Sequence, residues 1–428
     1  MKVLVIGNGG REHALAWKLG QSRKVSRLFV APGNAGTAVD AENVPIAATD
    51  FPELVRFAIQ QHIDLTVVGP ELPLTLGIVD AFEKEGLRVF GPNRRAAQME
   101  GSKIFCKKIL RAGNVPTAAY TEFDNQDDAV EYLNRNREHP VVVKADGLAA
   151  GKGVIVCDNG AEAIDAVTRI CAEREFGDAG NKFIIEERLA GQEASVLAIT
   201  DSKTIMTLQP AQDHKPAFDG DRGPNTGGMG AYSPAPLVDD EMLHWVESRI
   251  LVPTVHTLNK NDTPFKGVLY AGLMIQTGSK IPAKVLEYNS RFGDPECQPL
   301  LMRLQTDLVD VMEAVIDQRL GLLPPLAFDS RPAVCVVMAS KGYPGSCEKG
   351  FPITGIEDAE LIPDVKVFHA GTTLDQEGRV VTNGGRVLGV TALGETIAEA
   401  KKRAYEAVSR IHWQGVWYRK DIADKALF

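Results

Sequence analysis

Three side chains in the segment Val285-Leu286-Glu287-Tyr288-Asn289-Ser290-Arg291-Phe292-Gly293-Asp294-Pro295-Glu296 are spaced to act together. On an extended strand the side chains alternate between two faces, so Glu287, Asn289 and Arg291 point the same way. One carboxylate, one amide oxygen and one guanidinium then converge. Magnesium takes hard oxygen ligands and leaves part of its shell to water and nucleotide phosphates, so Glu287 with Asn289 makes a partial metal site. Arg291 can offset charge on a transferred phosphoryl group. The competing reading is an exposed polar strand face, which the flanking apolar Val285 and Leu286 disfavour.

A second constellation is built for phosphates. Lys144 ends an apolar strand, and the loop Ala145-Asp146-Gly147-Leu148-Ala149-Ala150-Gly151-Lys152-Gly153 that follows is made of small residues and carries a second lysine. Small residues let backbone amides approach phosphate oxygens, while lysines offset the triphosphate charge. This is not a Walker A loop, because Gly151-Lys152 is followed by Gly153 and not by the Ser or Thr that holds magnesium. The bland alternative is a flexible hairpin. Downstream, Glu186 and Glu193 flank a turn after the strand that begins at Phe183; alone they read as a solvated strand end, and with the lysine loop they read as an adenine and ribose site.

Two glycine-rich stretches remain. Gly7-Asn8-Gly9-Gly10-Arg11-Glu12-His13 follows a strand and opens a helix, so its amides are placed to receive a phosphate at a helix N-terminus. A dinucleotide fingerprint wants a third small residue where Glu12 stands and an acidic end to the second strand, so a mononucleotide phosphate is the better fit. A tight turn that only packs helix on sheet is the rival. Gln212-Asp213-His214-Lys215 and Gly223 to Tyr232 form a long polar loop region suited to an amino-acid carboxylate and a sugar phosphate. His214 reads equally as an ordinary hydrogen-bonded histidine.

The elements that must hold these groups follow from periodicity. Val3–Ile6, Leu28–Val30, Leu65–Val68 and Leu87–Phe90 are strand candidates alternating with amphipathic helices, which predicts an open parallel sheet over residues 1–101 with its loops on one face. A mixed region over 102–325 carries most of the chemistry. After Leu323-Pro324-Pro325, a strand from Ala333 to Ala339 and a helix from Ile397 to Arg410 predict a small C-terminal α/β domain over 326–428.

Composition sets the outer limits. The 428 residues exceed what one core usually supports. With 44% apolar and 24% charged residues, the chain is expected to fold throughout. A net charge of -9 without a long basic run argues against nucleic-acid or membrane partners. The six cysteines lack metal or disulfide spacing and read as reduced thiols. With no signal-like or membrane-spanning apolar run, a cytoplasmic location is expected.

Taken in order, GNGGREHAL, PGNAGT, VGPE, GSK, KADGLAAGKGV, IEE, QDHK, PNTGGMGAYSPAP, EYNSRFGDPE and VTNGGRVL resemble the motif series of the glycinamide ribonucleotide synthetase (phosphoribosylamine glycine ligase) family, of the ATP-grasp superfamily, across essentially the whole chain. The resemblance implies a Rossmann-like preATP-grasp sheet, an ATP-grasp core with a lid over about residues 118–192, and a C-terminal domain. It implies ATP-dependent joining of glycine to 5-phosphoribosylamine through a glycyl phosphate in purine biosynthesis, with Mg2+ or Mn2+, by a monomer or weak dimer. Carried over, Lys103, Lys144, Glu186, Leu189 and Glu193 would contact ATP, with Gly151, Lys152 and Gly153 over its phosphates. Glu287 and Asn289 would hold the metal, and Arg291 with Lys144 would be catalytic. Gly9, Gly10, Asn34, Asp213, Lys215, Thr226, Gly227 and Arg291 would meet the substrates. Pro216 replaces a basic residue often found after the DHK triplet, and Ser340-Lys341 replaces small residues before Gly342; the first bears on substrate affinity. A related carboxylase-like ligase and a nucleotide-binding protein without turnover are the rival readings. The first would lack PNTGGMG and PGNAGT, and the second would show damage at Lys144, Glu287, Asn289 or Arg291.

Overall fold

The structure, a computed structural model, describes residues 1–148, 153–171 and 180–427. Its N-terminal part is a five-stranded parallel sheet in the spatial order Glu42–Asn43, Arg27–Pro32, Lys2–Gly7, Leu65–Val68, Val89–Phe90. The central strand Lys2–Gly7 is buried from Val3 onward and reads as a continuous apolar run because both faces are covered. All four expected strands are present, the last shortened to Val89–Phe90. The edge strand Glu42–Asn43 is two polar residues long, with no apolar pattern to announce it.

The middle of the chain builds two four-stranded antiparallel sheets. One orders Tyr120–Phe123, Phe183–Glu187, Val141–Ala145 and Val154–Cys157, with helices Gln126–Arg135 and Gly160–Cys171 packed on its apolar face through Ala129, Leu133, Ala163, Val167 and Ile170. The other orders Ile205–Thr207, Gln192–Asp201, Lys266–Ile275 and Ala283–Asn289. Between these last two strands the register jumps: Gly272 faces Glu287, but Leu273 faces Val285. Leu286 is therefore an extra residue in a bulge. A bulge reverses the alternation, so Ala283 and Val285 point into the core while Glu287 and Asn289 point out of it.

The C-terminal sheet has six strands and is not built from C-terminal residues alone. Gln212–Asp213 and Gly230–Ser233 run alongside Ala333–Ser340, followed by Arg386–Leu393 and Val365–His369, with Val416–Trp417 on the far end of Ala333–Ser340. Helix Ile397–Val408 covers this sheet with Ala400, Ala404, Ala407 and Val408. One hydrophobic core joins Val5, Leu15 and Leu19 of the first sheet and its helix to Leu300, Leu301 and Val311 and to Phe368 of the last sheet. Such a shared core fixes the three parts relative to one another, and the functional side chains sit where they meet.

Candidate active site

Helix Lys103–Ala112 begins the site. Ser102 caps it, its hydroxyl accepting the Phe105 N–H at 3.0 Å. The same hydroxyl donates to Asp146 Oδ1 (2.9 Å), which also accepts the Ile104 N–H (3.0 Å). Asp146 lies in the small-residue loop after Lys144, so this carboxylate pins the base of that loop to the helix N-terminus, where negative charge is favoured. Lys103, the first helical residue, is thereby aimed across the site at the bulged strand.

On that strand Glu287 faces two ammonium groups, Lys103 Nζ at 3.4 Å and Lys215 Nζ at 3.7 Å. Burial by itself would raise the Glu287 carboxyl, but Lys103, Lys215 and Lys144 override it and hold the group ionised, well below the usual carboxylate range. Lys215 also contacts Glu193 Oε2 at 2.9 Å. Burial lowers this lysine, and Glu193, Asp213 and Glu287 together reverse that effect and raise it. Asp213 behaves oppositely. Burial pushes its carboxyl up to about 7, against the pull of Lys215 and with the help of Glu296, Glu193 and Glu287.

Arg291 is gripped by Glu100 Oε1 at 2.8 Å and Glu71 Oε2 at 3.3 Å, and it donates to the Phe292 carbonyl at 3.1 Å. Arg11 reaches the same region: it pairs with Glu12 at 2.7 Å, donates to Phe292 O at 3.1 Å and approaches Glu71 at 3.7 Å. Although burial raises the Glu71 carboxyl, the two guanidinium groups bring it down to about 2.

Most of these groups line one cavity of about 480 Å³. Its wall includes Lys103, Asp213, Lys215, Thr226, Gly227, Glu287, Asn289 and Arg291, with Gly147, Leu148, Gly153 and Val154 from the flanks of the lysine loop. Of the three residues expected on one strand face, Glu287 and Asn289 lie on the strand Ala283–Asn289, whereas Arg291 lies in the bend beyond its end; all three line the cavity together with the described flanks of the lysine loop. Cations, ionised carboxylates and loop backbone at such density suit a polyanion held with a hard metal ion.

Comparison with known proteins assigns the architecture to a family. Residues 1–100 match the N domain, 101–297 the ATP-grasp (A) domain and 333–425 the C domain of phosphoribosylglycinamide synthetase. Phosphoribosylamine–glycine ligase of Rhodopirellula baltica is 60% identical over 430 residues, covering 99% of this chain and 98% of that protein. The chain belongs to the phosphoribosylglycinamide synthetase family. The enzyme of the same name from Salmonella typhimurium is 51% identical, covering 100% of this chain and 99% of that one. The crystal structure of phosphoribosylamine–glycine ligase from Thermotoga maritima superposes with a TM-score of 0.85 at 32% identity, covering 99% and 100% of the two chains. A biotin carboxylase domain from Hydrogenobacter thermophilus, at 13% identity and a TM-score of 0.74, shares the fold.

Not every residue inferred from the resemblance to this synthetase family lines the cavity. Lys144 and Glu186 form a buried pair behind it, 3.1 Å apart, and Lys144 also donates to the Leu286 carbonyl at 3.1 Å. Leu189 lies half-buried in the segment between the two ATP-grasp sheets, and Glu193 is the second residue of the strand Gln192–Asp201. Gly151 and Lys152 lie outside the described residues. Gly9 and Gly10 sit against the Asp294 carboxylate, which does line the cavity; a methyl group on either would stand 3.7 and 3.6 Å from its oxygens.

The Gly9 N–H, one of the amides offered to a phosphate, is bound by Glu12 Oε2 at 2.6 Å. The Asn34 amide donates to Asn8 O (2.9 Å) and His369 O (2.8 Å), and its oxygen accepts from Gly36 and Thr37 N–H at 2.9 and 3.0 Å. Asn34 therefore shapes the PGNAGT loop and ties it to the C-terminal sheet; its own polar atoms are engaged. His214 is neither cavity-lining nor hydrogen-bonded through its ring among the described residues. Burial, with Lys425 and Arg419 nearby, brings it down to about 3, so it stays neutral beside Tyr232.

Further wall residues escaped the site assignment: Arg11, Glu71, Glu100, Tyr270, Glu296 and Arg386. Arg11, Glu71, Glu296 and Arg386 lie inside quoted motifs, so a signal existed. Glu100 and Tyr270 stand in no motif and are found only by the fold. Arg386 comes from the C-terminal sheet, donates to Gly227 O (2.8 Å) and Asp294 O (2.7 Å), and so clamps two active-site loops.

Proposed function

We propose that this cavity joins glycine to 5-phosphoribosylamine at the expense of ATP, giving glycinamide ribonucleotide, ADP and phosphate in purine biosynthesis. The observation that carries the reading is the meeting of Glu287, Asn289 and Arg291 with Lys103, Lys215 and the lysine-loop flanks in one cavity, within a chain that matches the family from end to end.

The metal ligands on this reading are Glu287 and Asn289. The fit rests on a carboxylate held ionised and a neighbouring amide on the same strand face. Among the described residues no group of three or more His, Cys, Asp and Glu could hold a metal alone, so phosphate oxygens and water would complete the shell. When bound, Mg2+ or Mn2+ offsets phosphate charge and orients the reacting phosphoryl group.

In the first step a glycine carboxylate oxygen forms a bond to the γ-phosphorus, and the bond from that phosphorus to ADP breaks. Lys103, Lys144 and Arg291 supply fixed positive charge where negative charge moves, which is what phosphoryl transfer needs in place of a protein nucleophile. The phosphoribosylamine nitrogen then attacks the glycyl carbonyl carbon and phosphate leaves. The nitrogen loses a proton as the amide forms. Asp213, a cavity carboxyl pushed up to about 7, is able to take it near neutral pH. On this reading Thr226, Gly227 and Lys215 line the substrate side of the cavity, and Gly9 and Gly10 lie behind the Asp294 carboxylate that lines it.

The substrates are small molecules. On this reading the enzyme acts in the cytoplasm, as a monomer or weak dimer, without nucleic-acid or membrane partners; the net charge of -9 disfavours polyanionic partners. Among the described residues no helix is long and apolar enough to cross a membrane. ADP release is measured with glycine alone, phosphoribosylamine alone and both. Strong dependence on the pair is expected; equal ADP release with either one alone would overturn the reading.

A further inference from the structure

One turn beyond Lys103 the same helix carries a second inward lysine, which no motif singled out. Lys107 is 3% exposed and donates to Thr117 Oγ1 at 2.6 Å. Its ammonium lies 3.2 Å from Glu186 Oε1, and the other oxygen of that carboxylate, Oε2, lies 3.1 Å from Lys144 Nζ. Glu186, 2% exposed, is thus sandwiched between two buried lysines. Burying three charges is costly, and a lone Lys144–Glu186 pair would already be neutral. The added lysine gives the group a net positive charge beside the cavity.

That excess has a direction. Lys144 is reached by the carboxylate on one side and by the Leu286 carbonyl, in the bulge next to Glu287, on the other. With Lys107 balancing Glu186 from behind, the Lys144 ammonium is less tightly held by the carboxylate and can turn its charge to a phosphate. Without Lys107, Glu186 would have Lys144 as its sole ion-pair partner among the described residues, and the potential at the nucleotide would fall.

We propose that Lys107 is a positioning residue for the nucleotide, acting through Glu186 to set the place and available charge of Lys144. The proposal rests on the reading that Lys144 contacts ATP. The rival is a purely structural lysine that neutralises Glu186 during folding.

The test titrates ADP with magnesium into the full-length chain by calorimetry, for Lys107→Met, Lys107→Arg, Lys144→Met and the Lys107→Met/Lys144→Met pair, beside KM values. Lys107→Met is expected to weaken ADP binding and raise the KM for ATP about tenfold, within the coupling range of one ion-pair network, with the KM for glycine unmoved. Lys107→Arg should recover most of the affinity. In the Lys144→Met background, Lys107→Met should cost little more. Should Lys107→Met melt below the assay temperature, Lys107→Gln takes its place. Wild-type affinity in the Lys107 variant with weakened Lys144→Met overturns the proposal alone. Wild-type affinity in Lys144→Met overturns the reading of Lys144 and the proposal with it. A fall in melting temperature with unchanged affinity and KM values establishes the structural rival.

Discussion

Lys103 and Glu287 lie 184 positions apart in the chain and stand 3.4 Å apart in the fold. The contact joins the first residue of the helix after the N-terminal sheet to the strand that carries the proposed metal ligands. Lys215 is a second cation on the same carboxylate at 3.7 Å. Lys103→Met should therefore raise the KM for ATP by about tenfold or more while lowering the melting temperature by a few degrees at most, because Glu287 keeps a partner. Steady-state kinetics with thermal melts checks this; an unchanged KM would remove Lys103 from the nucleotide site.

Asp213 makes stability depend on pH in an unusual sense. An unfolded aspartate titrates near about 4, whereas this one is pushed up to about 7 by burial first, despite Lys215. Between those values the folded state binds more protons than the unfolded, so this group's contribution to stability falls as pH rises through the window. Asp213→Asn should gain in melting temperature relative to the parent as pH is raised from about 4 to about 8, while losing activity. Melting curves that stay parallel across that range would contradict the raised carboxyl.

Gly228 permits a loop that no side chain fits. Its φ is +111° and a methyl group there would lie 2.5 Å from Pro295 Cδ, against the segment that holds Asp294. Gly228→Ala is expected to lower activity at least about tenfold, since a displacement of about 1 Å at a reacting centre can cost more than that. Gly86→Ala, also at positive φ but with nothing within 4 Å, is the control. It should cost about 1 kcal/mol of stability and leave kcat unchanged.

What the sequence disclosed and what it withheld divide along physical lines. The shared face of Glu287 and Asn289 followed from strand periodicity, whereas Arg291 stands past the strand end at Asn289 and reaches the cavity through the bend that follows. The bulge at Leu286 that turns this face away from the Val285 core did not, since leucine carries no bulge signal. The long strands Ala333–Ser340 and Lys2–Gly7 were legible as apolar runs; Gln212–Asp213 and Glu42–Asn43 are too short to have a period. Glu186 was visible as an acidic strand end, yet its burial between Lys107 and Lys144 depends on a helix some 80 residues earlier in the chain. Glu100 binds the Ser290 N–H at 2.8 Å as well as Arg291, a tertiary contact with no local pattern.

The glycyl phosphate route makes an isotopic prediction. If a glycine carboxylate oxygen attacks the γ-phosphorus and later leaves with it, glycine labelled with 18O in its carboxylate must transfer one labelled oxygen to each phosphate released. Mass analysis of the phosphate checks this. Unlabelled phosphate would mean that ATP is cleaved by water or that the amine attacks without prior acyl phosphorylation.

The account turns on Glu287 holding the metal at the nucleotide. Substituting it removes a carboxylate from a cavity wall, not from the core, so folding should persist. The deciding measurement is ADP release by Glu287→Ala with glycine, phosphoribosylamine and saturating Mg·ATP, beside its melting curve. Turnover should fall by about a hundredfold or more, with a cooperative melt close to the parent's. Near-parental turnover in a folded variant would contradict the account.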